Sequence, residues 1–289
     1  MTVEAVTQTF TQEIEVSNQD PEIGKSVVAA GLKTNYLEEG SGVPIILVHG
    51  SGPGVTAYAN WRLTIPELAK RFKVFAPDIA GFGYTERKPG VTYNLDFWVK
   101  HLIGFMDALG IEKAGFIGNS FGGGLTLALA ARHPERVDRF VLMGSAGTDF
   151  QLTPGLDAVW GYQPSIEGMR ELVKTFAYDQ SIITDDLVRS RYEASIRPGF
   201  HETYSQMFPV PRQSGIKMLS TPEADIRAIT QQALVVHGRD DKILPLSSSV
   251  HLHKLLQHSD LHVFGECGHW TQIERKDRFT KLVLDFFSR

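Results

Sequence analysis

Short apolar runs, most of them ending on glycine, alternate along this chain with stretches of helical spacing. That alternation constrains the fold more than any other feature. "PIILVHG" (Pro44–Gly50), "VFAPD" (Val74–Asp78), "KAGFIGNS" (Lys113–Ser120), "RFVLMG" (Arg139–Gly144), "ALVVHG" (Ala233–Gly238) and "LHVFG" (Leu261–Gly265) read as strands. Helical spacing lies between and after them, over Asn60–Phe72, Asn94–Gly110, Gly122–Pro134, Ser247–Gln257 and Lys276–Ser288. Within the first of these, Pro66 predicts a first turn or a kink. Residues Ser26–Glu39 read as two short strands turning at Gly31. Strands that are apolar throughout are buried on both faces, so the alternation predicts an α/β fold, a mostly parallel sheet flanked by helices. From about residue 148 to 215 the pattern is helical, with no clear buried strand. An insertion there, after the strand ending near Gly144, lies over the carboxyl ends of the strands, where open α/β sheets bind ligands. The reading is therefore an N-terminal extension (1–22), a first core segment (23–147), a helical lid (148–215) and a second core segment (216–289).

Composition narrows the function classes. The net charge of -4 comes without a basic stripe, which argues against nucleic acid as a partner. Cys267 is the one cysteine and has no internal partner for a disulfide, so nothing points to an oxidising compartment. The opening residues are polar and acidic, without the basic and apolar regions of a signal peptide, and are expected to be mobile to about residue 20. No apolar run reaches the roughly 18 residues of a membrane span. The expectation is a cytoplasmic protein with no membrane partner.

"GFIGNSFGGG" (Gly115–Gly124) places Ser120 where a strand pattern stops and a helix pattern starts. The pentapeptide G-x-S-x-G alone is a weak signal, since a glycine-rich helix start also produces it. In a strand–turn–helix context the serine is held in a strained turn with its hydroxyl projecting from the sheet. The Phe121 N–H then lies at a helix N-terminus, suited to an oxyanion. Acid and base are expected downstream in this arrangement. Asp240 and Asp241 in "VVHGRDDKILP" both qualify on position; Asp241 is preferred because Gly238, Asp241 and Pro245 fit a G-x-x-D-x-x-x-P spacing associated with such folds. The base candidate is His269, on the glycine-flanked loop "GECGHW" after the last strand. Cys267 beside it is a weak candidate nucleophile. His49 and His237 end strands and read as structural, and no His, Cys or Asp group has metal-ligand spacing. The loop "HGSGPG" after the first apolar strand should supply a second oxyanion amide, for which Ser51 is the choice.

The segments "HGSGPGVTAYANWRLTIP", "GNSFGGGL", "GLDAVWGYQPS", "RYEASIRPGF" and "LHVFGECGHWTQIE" resemble the meta-cleavage product hydrolases, α/β-hydrolase-fold enzymes of bacterial aromatic degradation. The lid segments are most similar to the subgroup acting on alkyl or aldehyde dienoates. The resemblance implies hydrolysis of a carbon–carbon bond in 2-hydroxy-6-oxohexa-2,4-dienoates, without a cofactor, in a homo-oligomer. It implies a triad of Ser120, Asp241 and His269, and oxyanion amides at Ser51 and Phe121. It places Asn60, Asn119, Arg191 and Trp270 against the small anionic dienoate. Each has a plainer reading: Asn60 as a helix N-cap, Arg191 as an ion-pair partner of Glu193 or Asp186, and Trp270 as core. Ala146, Trp160, Phe208 and Ile243 are candidates for the pocket wall. Small Ala146 and aliphatic Ile243 suit formyl, methyl or small alkyl groups at C6. A carboxylesterase with the same triad, or a receptor that has lost turnover, are the rival readings.

Overall fold

The computed structural model of the chain describes residues 20–289. Its strands are β1 (Lys25–Ala29), β2 (Leu32–Glu39), β3 (Pro44–Val48), β4 (Lys73–Pro77), β5 (Ala114–Asn119), β6 (Val137–Met143), β7 (Gln232–Gly238) and β8 (Ser259–Phe264). They form one sheet in the order β1-β2-β4-β3-β5-β6-β7-β8. The β1–β2 hairpin is antiparallel, β2 runs antiparallel to β4, and every pairing from β4 to β8 is parallel. The chain steps from β3 outward to β4, then crosses back to lay β5 on the other side of β3. The carboxyl ends of β3 and β5 therefore lie side by side at the point where the winding reverses, with Val48 opposite Gly118.

Side chains of each buried strand divide between two cores, as a period of two demands. Ile46, Val48, Phe116, Phe140, Leu142 and Val235 join one cluster. Ile45, Leu47, Ile117, Val141, Leu234 and Val236 join the other. The helices are α1 (Ala57–Trp61), α2 (Ile65–Leu68), α3 (Leu95–Ala108), α4 (Phe121–Arg132), α5 (Pro154–Trp160), α6 (Ile166–Phe176), α7 (Asp185–Ser195), α8 (Phe200–Met207), α9 (Gln213–Met218), α10 (Glu223–Arg227), α11 (Leu246–Leu255), α12 (Thr271–Glu274) and α13 (Lys276–Phe287). Trp98, Leu102 and Phe105 of α3 lie in the first core; Trp61 of α1 and Phe279 and Val283 of α13 lie in the second. None of the described helices is long and apolar enough to cross a membrane.

The single helix expected over Asn60–Phe72 is two short ones. Thr56, not Asn60, caps the first, its hydroxyl accepting from Ala59 N at 3.0 Å. Pro66 sits in the first turn of α2, where its missing N–H costs nothing, so the chain restarts there rather than kinking one helix. Helices α5 to α10 lie between β6 and β7, where the alternation breaks, and Thr153, Ser165 and Thr184 cap α5, α6 and α7. Of the expected N-terminal extension, residues 1–19 lie outside the described residues.

Helix α4 packs against β3 and β5 almost backbone to backbone. A Cβ on Gly122 would overlap the carbonyl oxygens of Val48 and His49, and one on Gly118 would overlap Gly122 O, Gly123 Cα and Thr126 Oγ1. Gly122→Ala is expected to lower stability by about 3 kcal/mol. Urea unfolding should show a lower midpoint at unchanged slope; an unchanged midpoint would mean that this approach is not tight.

Candidate active site

Ser120 is the junction of β5 and α4, with φ 55° and ψ -117°. A non-glycine residue at positive φ is strained and persists only when its surroundings over-determine it. Here they do. Ser120 N donates to Met143 O at 2.9 Å, and Ser120 O accepts from the amides of Gly123 (3.0 Å), Gly124 (3.2 Å) and Ala146 (3.0 Å). Phe121 follows as the first residue of α4, so its N–H has no intrahelical acceptor. Its ring is fixed edge-on to Trp98 at 4.7 Å.

The loop after β3 brings Ser51 to the same place. His49 pins that loop: its Nδ1 donates to Gly50 O at 2.8 Å and its Nε2 accepts from Ile79 N at 2.9 Å. Complete burial lowers the His49 pKa to about 4, so the ring is neutral, as this bonding requires. Gly50 N donates to Asn60 Oδ1 at 3.2 Å. Ser51 Oγ accepts from Trp160 Nε1 at 3.1 Å, and Ser51 O from the Tyr204 hydroxyl at 3.2 Å.

Asp241 and His269 come from the loops after β7 and β8, which are neighbours in the sheet. His269 Nδ1 donates to Asp241 Oδ2 at 2.7 Å. Asp241 Oδ1 accepts from the amides of Ile243 (2.7 Å) and Leu244 (3.0 Å). Burial works to raise the Asp241 pKa, but the charge and hydrogen bond of His269, then His237, more than offset it and hold the carboxyl below its ordinary range. Asp240 takes no part in this pair: it faces Arg239 at 3.3 Å and the Cys267 amide at 3.3 Å. His237 is buried and bonded to Ser249 Oγ (2.7 Å) and Leu244 O (3.1 Å). Burial pushes the Cys267 thiol up to about 12, which leaves it a protonated core group.

Ser120 and His269 both line a cavity of about 560 Å³ between the sheet's carboxyl end and the inserted helices. Ser51, Asn60, Asn119, Arg191, Trp270 and Ile243 line it too. Asn60 lies inside α1, and its Nδ2 is buried without a partner among the described residues. Asn119 Nδ2 donates to Met143 O at 3.2 Å, the same oxygen that holds Ser120 N. Trp270 stacks on Phe176 at 5.1 Å and 7°. Arg191 pairs with neither Glu193 nor Asp186; its Nη2 meets Glu22 Oε1 at 3.0 Å.

The other wall candidates divide. Ala146 and Trp160, with Ser51, Ser120 and Phe121, bound a second space of about 10 Å³. Phe208 is not on either wall. Its ring is stacked flat against the back of Trp160 at 4.5 Å and 3°, so it supports the wall from behind. Among the described residues, no group of three His, Cys, Asp or Glu could hold a metal ion.

Three further contributors carry no local sequence signal. Glu274 accepts from the amides of Gly268 (2.8 Å), Tyr178 (2.8 Å) and Asp179 (2.9 Å), tying the His269 loop to the insertion. Glu22 and Arg197 line the cavity and pair with each other at 2.9 Å. These are isolated charges in unremarkable local sequence, and only the tertiary fold brings them together.

Residues 43–276 match the family described as alpha/beta hydrolase fold. The chain is 57% identical over 268 residues to a 2-hydroxymuconate semialdehyde hydrolase of Pseudomonas sp. strain CF600, spanning 93% of this chain and 95% of that protein. It is 51% identical over 273 residues to a 2-hydroxy-6-oxo-2,4-heptadienoate hydrolase of Pseudomonas putida, spanning 94% and 99%. The solved structure of a variant of the meta-cleavage product hydrolase of Pseudomonas fluorescens IP01, complexed with acetates, superposes with a TM-score of 0.92 at 59% identity, over 93% of this chain and 99% of that one. The chain belongs to the alpha/beta hydrolase fold family and, within it, to the meta-cleavage product hydrolases, which cleave carbon–carbon bonds.

The depressed Asp241 pKa fixes a sign. A carboxylate held below its unfolded value contributes stability above that value, and loses it as pH falls through the lower folded pKa. Asp241→Asn should therefore cost about 1–3 kcal/mol at pH 7, with a shallower loss than wild type as pH falls below about 4. Parallel denaturation curves for the two proteins from pH 7 to pH 3 would count against this.

Proposed function

We propose that this protein hydrolyses the C5–C6 bond of 2-hydroxy-6-oxohexa-2,4-dienoates to 2-hydroxypenta-2,4-dienoate and a small carboxylic acid. The C6 end is an aldehyde or a methyl or small alkyl ketone. One observation carries the reading: the cavity that holds Ser120 and His269 is also lined by the guanidinium of Arg191 and the carboxamides of Asn60 and Asn119. An ester needs none of these, whereas a substrate with a carboxylate beside a 2-hydroxy/oxo group uses all of them. The guanidinium of Arg191 suits the carboxylate. The unpaired Asn60 Nδ2 and the Asn119 carboxamide suit the neighbouring oxygen. The similarity to the semialdehyde and heptadienoate hydrolases supports the same substrate class. A cytoplasmic location and a homo-oligomeric state belong to this reading, carried by the family resemblance.

The dienol proton moves to C5, which gives the keto form and makes C5 a viable leaving carbon. Ser120 Oγ adds to the C6 carbonyl as His269 takes its proton, and Asp241 stabilises the imidazolium. The charge on the C6 oxygen falls to the Ser51 and Phe121 amides. As the C5–C6 bond breaks, its electron pair becomes the C4=C5 bond and the chain of double bonds shifts toward the C2 oxygen. His269 returns the proton to that dienolate, and water then releases the acid from Ser120. The space of about 10 Å³ bounded by Ala146 and Trp160 beside Ser120 favours a small group at C6.

Purified protein should bleach the yellow dienoate, and Ser120→Ala should do so at least about 10³-fold more slowly; equal rates would end the proposal. Turnover of a p-nitrophenyl ester without action on the dienoate would select a carboxylesterase instead. Asn119→Ala should impair dienoate cleavage much more than ester hydrolysis. A 6-phenyl dienoate should show kcat/KM at least about tenfold below the 6-methyl compound, and comparable values would exclude the small-group limit.

A further inference from the structure

Arg191 is already bound to a carboxylate from within the chain. Glu22, in the segment before β1, has a side chain only 7% exposed and divides its oxygens between two guanidinia. Oε1 lies 3.0 Å from Arg191 Nη2 and Oε2 lies 2.9 Å from Arg197 Nη1. Arg191 belongs to α7 and Arg197 to the turn before α8, so both cations come from the insertion. The Glu22 backbone is anchored separately. Asn35 Nδ2 donates to Glu22 O at 3.0 Å and to Asp78 Oδ2 at 2.8 Å, while Asn35 Oδ1 accepts from Gly24 N at 2.9 Å. Glu22, Arg191 and Arg197 line the cavity that also holds Ser120.

We propose that Glu22 is the resident counter-ion of Arg191, displaced by the substrate's carboxylate and returning when product leaves. This rests on the reading that Arg191 receives that carboxylate. The exchange trades one ion pair for another, and Arg197 keeps Glu22 paired while Arg191 is occupied. The carboxylate is unchanged by the reaction, so Arg191 grips substrate and product alike. Such uniform binding adds nothing to the chemical step and retards product release. Competition from a fixed carboxylate removes the excess grip. Glu22 is thus a positioning residue that sets anion affinity through Arg191.

The test is equilibrium binding of hexa-2,4-dienoate, a stable carboxylate, beside neutral 2,4-hexadien-1-ol, by calorimetry on the full-length protein. Glu22→Gln should bind the dienoate roughly five- to tenfold more tightly and the alcohol no differently. Arg197→Gln, which leaves Glu22 wholly to Arg191, should weaken dienoate binding. Unchanged or weaker dienoate binding in Glu22→Gln, an equal shift for the alcohol, or shifts of the same sign in both variants would overturn the proposal. Arg191→Gln separates the two readings. If it leaves dienoate affinity unchanged, the carboxylate does not bind there, and the functional assignment of Arg191 fails first.

Discussion

A serine at φ 55°, between a strand and a helix, is the constraint on which the rest of this structure depends. The turn is tolerated because α4 approaches β3 and β5 through glycines, with no room for a side chain at Gly118 or Gly122. That approach sets the Phe121 amide at the head of α4 and leaves the Ser120 hydroxyl in the cavity. It also explains the double duty of Met143 O, which holds both the Ser120 amide and the Asn119 carboxamide. The Asn119 carboxamide is thereby oriented beside the elbow, while the Ser120 amide keeps its own bond to the same oxygen.

The remaining groups reach Ser120 through the sheet order. Reversal of winding at β3 and β5 puts the Ser51 loop beside the elbow, and β7 and β8 carry Asp241 and His269 on adjacent loops. Buried histidines stiffen two of these loops: His49 behind Ser51, and His237 behind Asp241. The insertion closes the space above and brings Arg191 and Arg197 to its lining. Glu274 connects the two parts, fastening the loop of His269 to the chain after α6.

Most of the parallel sheet was legible because the strands from β3 to β7 are apolar runs buried on both faces, several of them ending on or beside glycine. The pair Asp241–His269 was legible because each follows a strand. What the sequence left open has a common cause in sequence distance. Glu22 and Arg191 are 169 positions apart, and nothing local marks either as the other's partner. Trp160 and Phe208 both read as wall, yet only one layer of side chain can face a cavity, and stacking order is a tertiary fact. The divided helix at Pro66 was half visible: the proline marked a first turn or a kink, and its place in the first turn of α2 makes it a restart.

The proposed reaction requires one orientation of the substrate: carboxylate toward Arg191, reacting carbonyl toward Ser120. A crystal structure of Ser120→Ala with a 2-hydroxy-6-oxo dienoate bound tests it most directly. The C6 oxygen should lie within hydrogen-bond reach of the Ser51 and Phe121 amides, and the carboxylate on the Arg191 guanidinium. A dienoate bound the other way round, or with its C6 carbonyl out of reach of both amides, would contradict it.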